Sequence, residues 1–266
     1  TVTLAFSEQI CPNTGSCAVT FTNDDITIAT LDNGTPTGTL STMTSSDNET
    51  WTGTFIPATN AEDNSSRLSL GTGYTDLAGN NGPDNQTANY EIDTKEHTVN
   101  SVRITSAAGK QTHNSYGFVN AGDNVSVTAA FTETVIVDNA SGNNPTLTIV
   151  VGSDNRTATY ASGSGSDDLV FQYTIQATGT SGENDDNGIS IPANAFALNS
   201  GTIKDVAGND GILTHSVVDN NSSYKVDTIL PAVSSVVITS AEGIQNNLLN
   251  ATDNVSVTAT FSETVN

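Results

Sequence analysis

The sequence predicts an all-β chain of tandem antiparallel β-sandwich modules, and three observations carry that prediction. Whole blocks of sequence return in the same order at a nearly constant offset, apolar residues alternate with polar ones in short runs, and the composition favours turns. Among 266 residues there are 30 Asn, 22 Gly and 20 Asp, against only 9 Glu. Asn and Asp side chains compete for the helical backbone and Gly supplies turn conformations, so long helices are close to excluded.

The repeats set the frame, because a period reorganises every later inference. Ser101–Ala107 (SVRITSA) returns as Ser235–Ala241 (SVVITSA), and Asp123–Ala129 (DNVSVTA) as Asp253–Ala259, at offsets of 134 and 130. Phe6-Ser7-Glu8, Phe131-Thr132-Glu133 and Phe261-Ser262-Glu263 open corresponding segments. Asp76–Asn80 (DLAGN) matches Asp205–Asn209 (DVAGN), and Tyr90–Thr94 (YEIDT) matches Tyr224–Thr228 (YKVDT). Three modules are therefore expected: residues 1–94 without opening strands, a complete and longer module at 95–228, and the start of a third at 229–266. The length allows this, at about 100 to 200 residues per domain. The chain reads as a window on a longer array.

Within a module the period is that of strands, whose side chains alternate faces. Val125, Val127, Ala129 and Phe131 alternate with polar residues, as do Leu169, Phe171, Tyr173 and Ile175. Leu147, Ile149 and Val151 form a further run, Val102 and Ile104 open the second module, and Trp51 and Phe55 are expected to share a face across Gly53. Each run ends in Gly, Asn, Asp or Ser, and Gly163–Ser166 reads as a hairpin tip. Several short strands at this spacing argue for an antiparallel sandwich of immunoglobulin-like shape; the Cys, Trp, Cys constellation of antibody domains is missing, so the architecture is expected and its exact topology left open.

Charge excludes some functions. Seven basic residues against 29 acidic ones give a net charge of −22, which disfavours nucleic-acid binding. No stretch approaches the roughly 20 apolar residues of a membrane-spanning helix, so no membrane insertion is expected. Thr1–Phe6 opens directly on a strand-like run, so an export signal is expected elsewhere or of another kind. Cys11 and Cys17 are close enough to close a small disulfide loop, with free thiols as the alternative.

The acidic positions are where chemistry is expected. Asp76 and Asp205 sit in like turns with Asn80 and Asn209. A hard cation such as Ca²⁺ takes six to eight oxygens from carboxylates, amides and peptide carbonyls, which these turns offer. The competing account is an Asx-turn with Gly at positive φ and no metal. Asp93 and Asp227 close their modules at the junctions, where a carboxylate can bridge two modules through a shared ion. Asp123 and Asp253 precede like strands, and Glu8, Glu133 and Glu263 end them. Turn formation and protection of strand edges account for these equally well. Glu183–Gly188 resembles a calcium loop superficially but has Asn194 where a twelfth-position Glu belongs.

No enzyme is expected. His97, His113 and His215 do not recur between modules and fall in no metal-binding pair, so each reads as a lone surface histidine. No nucleophile elbow, Walker or dinucleotide fingerprint stands in its required setting.

The order Phe6-Ser7-Glu8, Trp51–Phe55, Gly73–Asn80 and Tyr90–Thr94 resembles the bacterial immunoglobulin-like repeats of giant surface adhesins. Residues 95–228 resemble a longer sister repeat through Arg156–Tyr160, Ser162–Gly165, Asn187-Gly188-Ile189 and Ile203–Asn209. The resemblance implies an extracellular protein of the Gram-negative cell surface, exported by type I secretion, supporting adhesion or biofilm formation. Its calcium-stiffened repeats would contact neighbouring repeats and hold a distal domain toward a host or bacterial ligand. Cys11 and Cys17 depart from the family's cysteine-free pattern. Two further expectations stand beside this one. Opening strands are missing from the first module and present at the C-terminus, so one molecule can complete another by strand donation. Alternatively one module binds glycan or peptide, with Tyr116, Phe118, Tyr160 and Tyr173 as candidates.

Overall fold

The computed structural model describes residues 1–13, 16–32, 34–138, 142, 144–177 and 183–265. The first strands are β1 (Val2–Ala5), β2 (Ile26–Ile28), β3 (Gly38–Leu40), β4 (Thr50–Gly53), β5 (Phe55–Pro57), β6 (Glu62–Ser66), β7 (Leu68–Leu70), β8 (Asn85–Gln86) and β9 (Tyr90–Asp93). Then come β10 (Val99–Ala108), β11 (Gln111–His113), β12 (Tyr116–Val119), β13 (Asn124–Asp138), β14 (Thr146–Val151), β15 (Asp154–Ser162) and β16 (Ser166–Thr174). The series closes with β17 (Asn184–Asp185), β18 (Phe196–Ala197), β19 (Thr202–Asp205), β20 (Lys225–Asp227), β21 (Val233–Glu242) and β22 (Asn254–Phe261). The all-β class and the immunoglobulin-like sandwich architecture are as the alternation predicts.

Two cores form. The larger is drawn from β10–β20: one sheet runs β10-β13-β16-β15-β14-β18, with β19 pairing the far half of β13, and faces a second sheet ordered β11-β12-β20-β17. Val125, Val127, Ala129, Leu147, Ile149, Leu169 and Phe171 are fully buried between them. Most of their neighbours in sequence are less buried, so period two becomes one buried face per strand. Gly163, at φ +111°, makes the turn from β15 into β16, where a Cβ would strike the Asp168 backbone.

The smaller core gathers Ile10, Phe21, Met43, Trp51, Leu70 and Tyr74 from short sheets β1-β4 and β2-β7-β8 and the connections between strands. Edge-to-face pairs, Phe21–Trp51 at 4.8 Å and Phe6–Tyr74 at 5.2 Å between ring centroids, fill it. Trp51 and Phe55 do not continue one strand as expected. Thr54 exchanges hydrogen bonds with Ser41, the chain changes sheet there, and Phe55 packs against Tyr90 instead.

Strands β21 and β22 repeat β10 and β13 closely. Val236 pairs with Ala259 as Val102 pairs with Ala129, and Ile238 with Val257 as Ile104 with Val127. Irregularities fall at corresponding places, between Val99 and Ser101 and between Val233 and Ser235.

Candidate metal centre

The DxAGN segments form the same turn twice. The Asp76 carboxylate accepts hydrogen bonds from the Ala78 and Asn80 backbone N–H groups, each at 2.8 Å, and from Asn80 Nδ2 at 2.7 Å. The Asp205 carboxylate accepts from the Asn209 N–H at 2.8 Å and Asn209 Nδ2 at 2.7 Å. Gly79 and Gly208 stand at φ +93° and +95°, a region that side chains resist. These are Asx-type turns. Asn80 and Asn209, expected among the ligands, direct their amide NH₂ at the carboxylate and brace it.

What lies beside the second turn is less ordinary. Asp93 ends β9, Glu133 lies within β13, and Asp205 ends β19 against Val135. One oxygen from each of the three carboxylates lies within 4.8 Å of the other two. Asp93 comes from the last strand of the first repeat, Glu133 and Asp205 from the next. Asn209 Nδ2 also donates to the Asp93 peptide oxygen at 3.1 Å, so the turn touches the joint directly.

The electrostatics of the joint are only partly relieved. Burial first, then Asp93, Asp205 and Glu62, push the Glu133 carboxyl above its usual range, and Lys95 offsets this only in part. Lys95 Nζ is itself engaged by Glu62 at 2.9 Å, in an exposed pair. At Asp205 burial acts to raise the pKa, but the Asn209 side-chain and backbone hydrogen bonds and that of Gly208 outweigh it and hold the group low. A buried carboxylate is thus kept ionised among its own kind. Oxygens bound to one calcium ion at 2.3–2.6 Å stand no more than about 5 Å apart. The trio meets that condition, and an all-oxygen, anionic donor set suits a hard cation.

The remaining expected ligands are distributed along the repeat. Glu8, Asp76 and Asn80 line one cavity at the corresponding corner of the first sandwich. Asp227 and Glu263 line another between β20 and β22, where Glu263 Oε1 is buried without a hydrogen-bond partner. Asp123 and Asp253 are turn residues, accepting the Asn120 and Asn250 N–H groups at 2.9 and 2.8 Å. In the Glu183–Gly188 run, Glu183 is fully engaged by Arg156, Tyr173 and the Gln176 N–H, and Asp185 accepts from Gly152, Asn187 and Gly188. These two carboxylates serve the fold.

The expectation of surface histidines fails at His97, which is fully buried. Its ring packs edge-on to Phe131 at 5.6 Å, Gly211 leaves it room, and both ring nitrogens lack hydrogen-bond partners. Burial holds it below its ordinary pKa, against the pull of Asp205, Asp210 and Glu96. Sequence reasoning missed it because no periodic run marks residue 97. Cys11 and Cys17 are joined in a disulfide, with Cα atoms 6.3 Å apart.

Fold and site together define an all-β chain of sandwich type with one cluster of three carboxylates among the described residues. Residues 1–92 match the family model of the bacterial Ig-like domain, whose members are commonly found in surface or extracellular proteins. No curated protein and no solved structure matches the chain. No helix among the described residues is long and apolar enough to cross a membrane.

Proposed function

We propose that the chain is a spacer segment of a bacterial cell-surface adhesin, with units at 1–94, 95–228 and 229–266 and joints stiffened by calcium. One observation carries this reading: carboxylates from successive repeats, Asp93 on one side and Glu133 with Asp205 on the other, converge at the joint. In the ion's absence their repulsion opposes a fixed joint; a bound divalent cation cancels it and removes hinge freedom. Calcium sites of extracellular modules bind with Kd of about 10⁻⁴ to 10⁻³ M, which couples stiffening to export from a calcium-poor cytosol. The product of the fold is reach and rigidity, with no reaction.

The aromatic residues give a glycan or peptide site no support. Tyr116 and Phe118 lie on β12, whereas Tyr160 and Tyr173 lie on the opposite sheet, where Tyr173 hydrogen-bonds Glu183. Small-angle scattering of the chain in millimolar calcium and in EGTA tests the spacer reading. The maximum dimension is expected to be longer and more sharply defined in calcium, and the melting temperature higher. Identical curves and identical melting in both buffers would reject it.

A further inference from the structure

Beside the three carboxylates of the joint stand two further charges. Glu62 on β6 lies directly opposite Asp93 on β9, and like charges in that position weaken a strand pair. Two residues beyond Asp93 comes Lys95, whose N–H donates to Asp93 Oδ1 at 3.1 Å and whose ammonium reaches back to Glu62 Oε2 at 2.9 Å. Glu62 first, then Glu133 and Asp93, hold that ammonium above its ordinary pKa, with burial opposing them. Glu133 feels the same pair in return: Lys95 draws its pKa down and Glu62 drives it up.

The next repeat boundary keeps the backbone and drops both charges. Asp227 on β20 faces Asn184 on β17 as Asp93 faces Glu62, and the Ile229 N–H donates to Asp227 Oδ1 at 3.0 Å as that of Lys95 does to Asp93. The neighbouring residues confirm the correspondence. Asp63 and Asp185 stand opposite Ile92 and Val226, and each accepts the N–H two positions on, from Ser65 and Asn187. Glu62 and Lys95 are therefore replaced together, by Asn184 and Ile229, while the aspartate between them is retained. Since ladder and turn form either way, the fold does not require the charged pair.

We propose that Lys95 is the resident counter-ion of the joint at Asp93: without metal its ammonium, held by Glu62, offsets part of the carboxylate charge, and a divalent cation binds in competition with it. On the calcium reading above, on which this rests, Lys95 weakens calcium binding at Asp93, Glu133 and Asp205, and Glu62 strengthens it. The neutral pair Asn184 and Ile229 does neither, so two joints of one design respond at different calcium concentrations. Lys95 and Glu62 are 54% and 63% exposed, so solvent and salt limit the effect of either charge to about three- to ten-fold in affinity.

Calorimetric calcium titration of the whole chain and of its Lys95→Met, Lys95→Arg, Glu62→Gln and Glu133→Gln variants tests the proposal, the binding lost in Glu133→Gln being that of this joint. Lys95→Met is expected to bind calcium there more tightly by that factor, Lys95→Arg like the parent chain, and Glu62→Gln more weakly. In EGTA Lys95→Met is expected to melt below the parent chain, and in saturating calcium the gap closes. A lysine that only braces the fold would lower melting equally in both buffers and leave the affinity unchanged. That result overturns the proposal, as does weaker binding in Lys95→Met. Binding that Glu133→Gln abolishes and Lys95→Met leaves unaltered rejects the counter-ion and leaves the spacer reading standing. Calcium bound by no form, or bound equally by Glu133→Gln and the parent chain, rejects both.

Discussion

Glu133 is the residue on which the proposed cation site is tested most directly. Its pKa is raised, chiefly by burial and then by Asp93 and Asp205, so its charge destabilises the fold at neutral pH without an ion. Replacing it with Gln is expected to raise the melting temperature in EGTA and to abolish most of the rise calcium produces, a reversal that calorimetry in the two buffers reads directly. A purely structural residue would shift both in one direction. His97 works the other way. Its folded pKa lies below the unfolded value of 6.5, so the unfolded chain binds the extra proton, and stability falls as pH drops below that value toward the depressed folded one. His97→Phe is expected to flatten the pH dependence of melting between about pH 6.5 and 5, where an unperturbed His titrates but carboxylates largely do not. Asp76 and Asp205 were legible in the sequence because like pentapeptides, DLAGN and DVAGN, recur; the convergence of Asp93 and Glu133 upon Asp205 was legible only as recurrence, since no local pattern says that carboxylates so far apart in sequence meet.

At the level of strands, the two sandwiches solve one corner differently. In the second, β13 runs on beyond Glu133 and pairs β19 from Val135–Asp205 to Asp138–Thr202. In the first, the corresponding ladder shrinks to a single bridge, Ile10 to Asp76, followed by Pro12, which lacks an N–H. The Cys11–Cys17 disulfide takes over there, with Cys11 fully buried, its N–H bonded to Thr75 O at 2.9 Å. Closing so short a loop stabilises by about 2 kcal/mol in the chain-entropy account. Reduction, or the Cys11→Ser/Cys17→Ser variant, is expected to lower the melting of the first sandwich by that order and leave the second unchanged, as hydrogen exchange resolved by segment would show. Strand existence was readable from alternation at Val125–Phe131 and Leu169–Ile175 because both strands are central and one-sided. The change of sheet at Thr54 was not readable, because it depends on hydrogen bonds to Ser41 from a distant segment.

For the molecule as a whole, a charge of −22 carried on 266 residues means that self-repulsion acts at every joint. Added monovalent salt is expected to raise the melting temperature in EGTA and to do so much less in calcium, because screening and ion binding relieve the same repulsion. Equal salt responses in the two buffers would count against the joints as its seat. The division of the trio across the repeat boundary has a hereditary corollary. On the spacer reading each unit carries an aspartate beside its end, Asp93 or Asp227, and its own glutamate further in, Glu8 or Glu133. On that reading, duplicating or excising a whole unit in the gene would leave every remaining boundary with its full set of carboxylates, with no compensating substitution required.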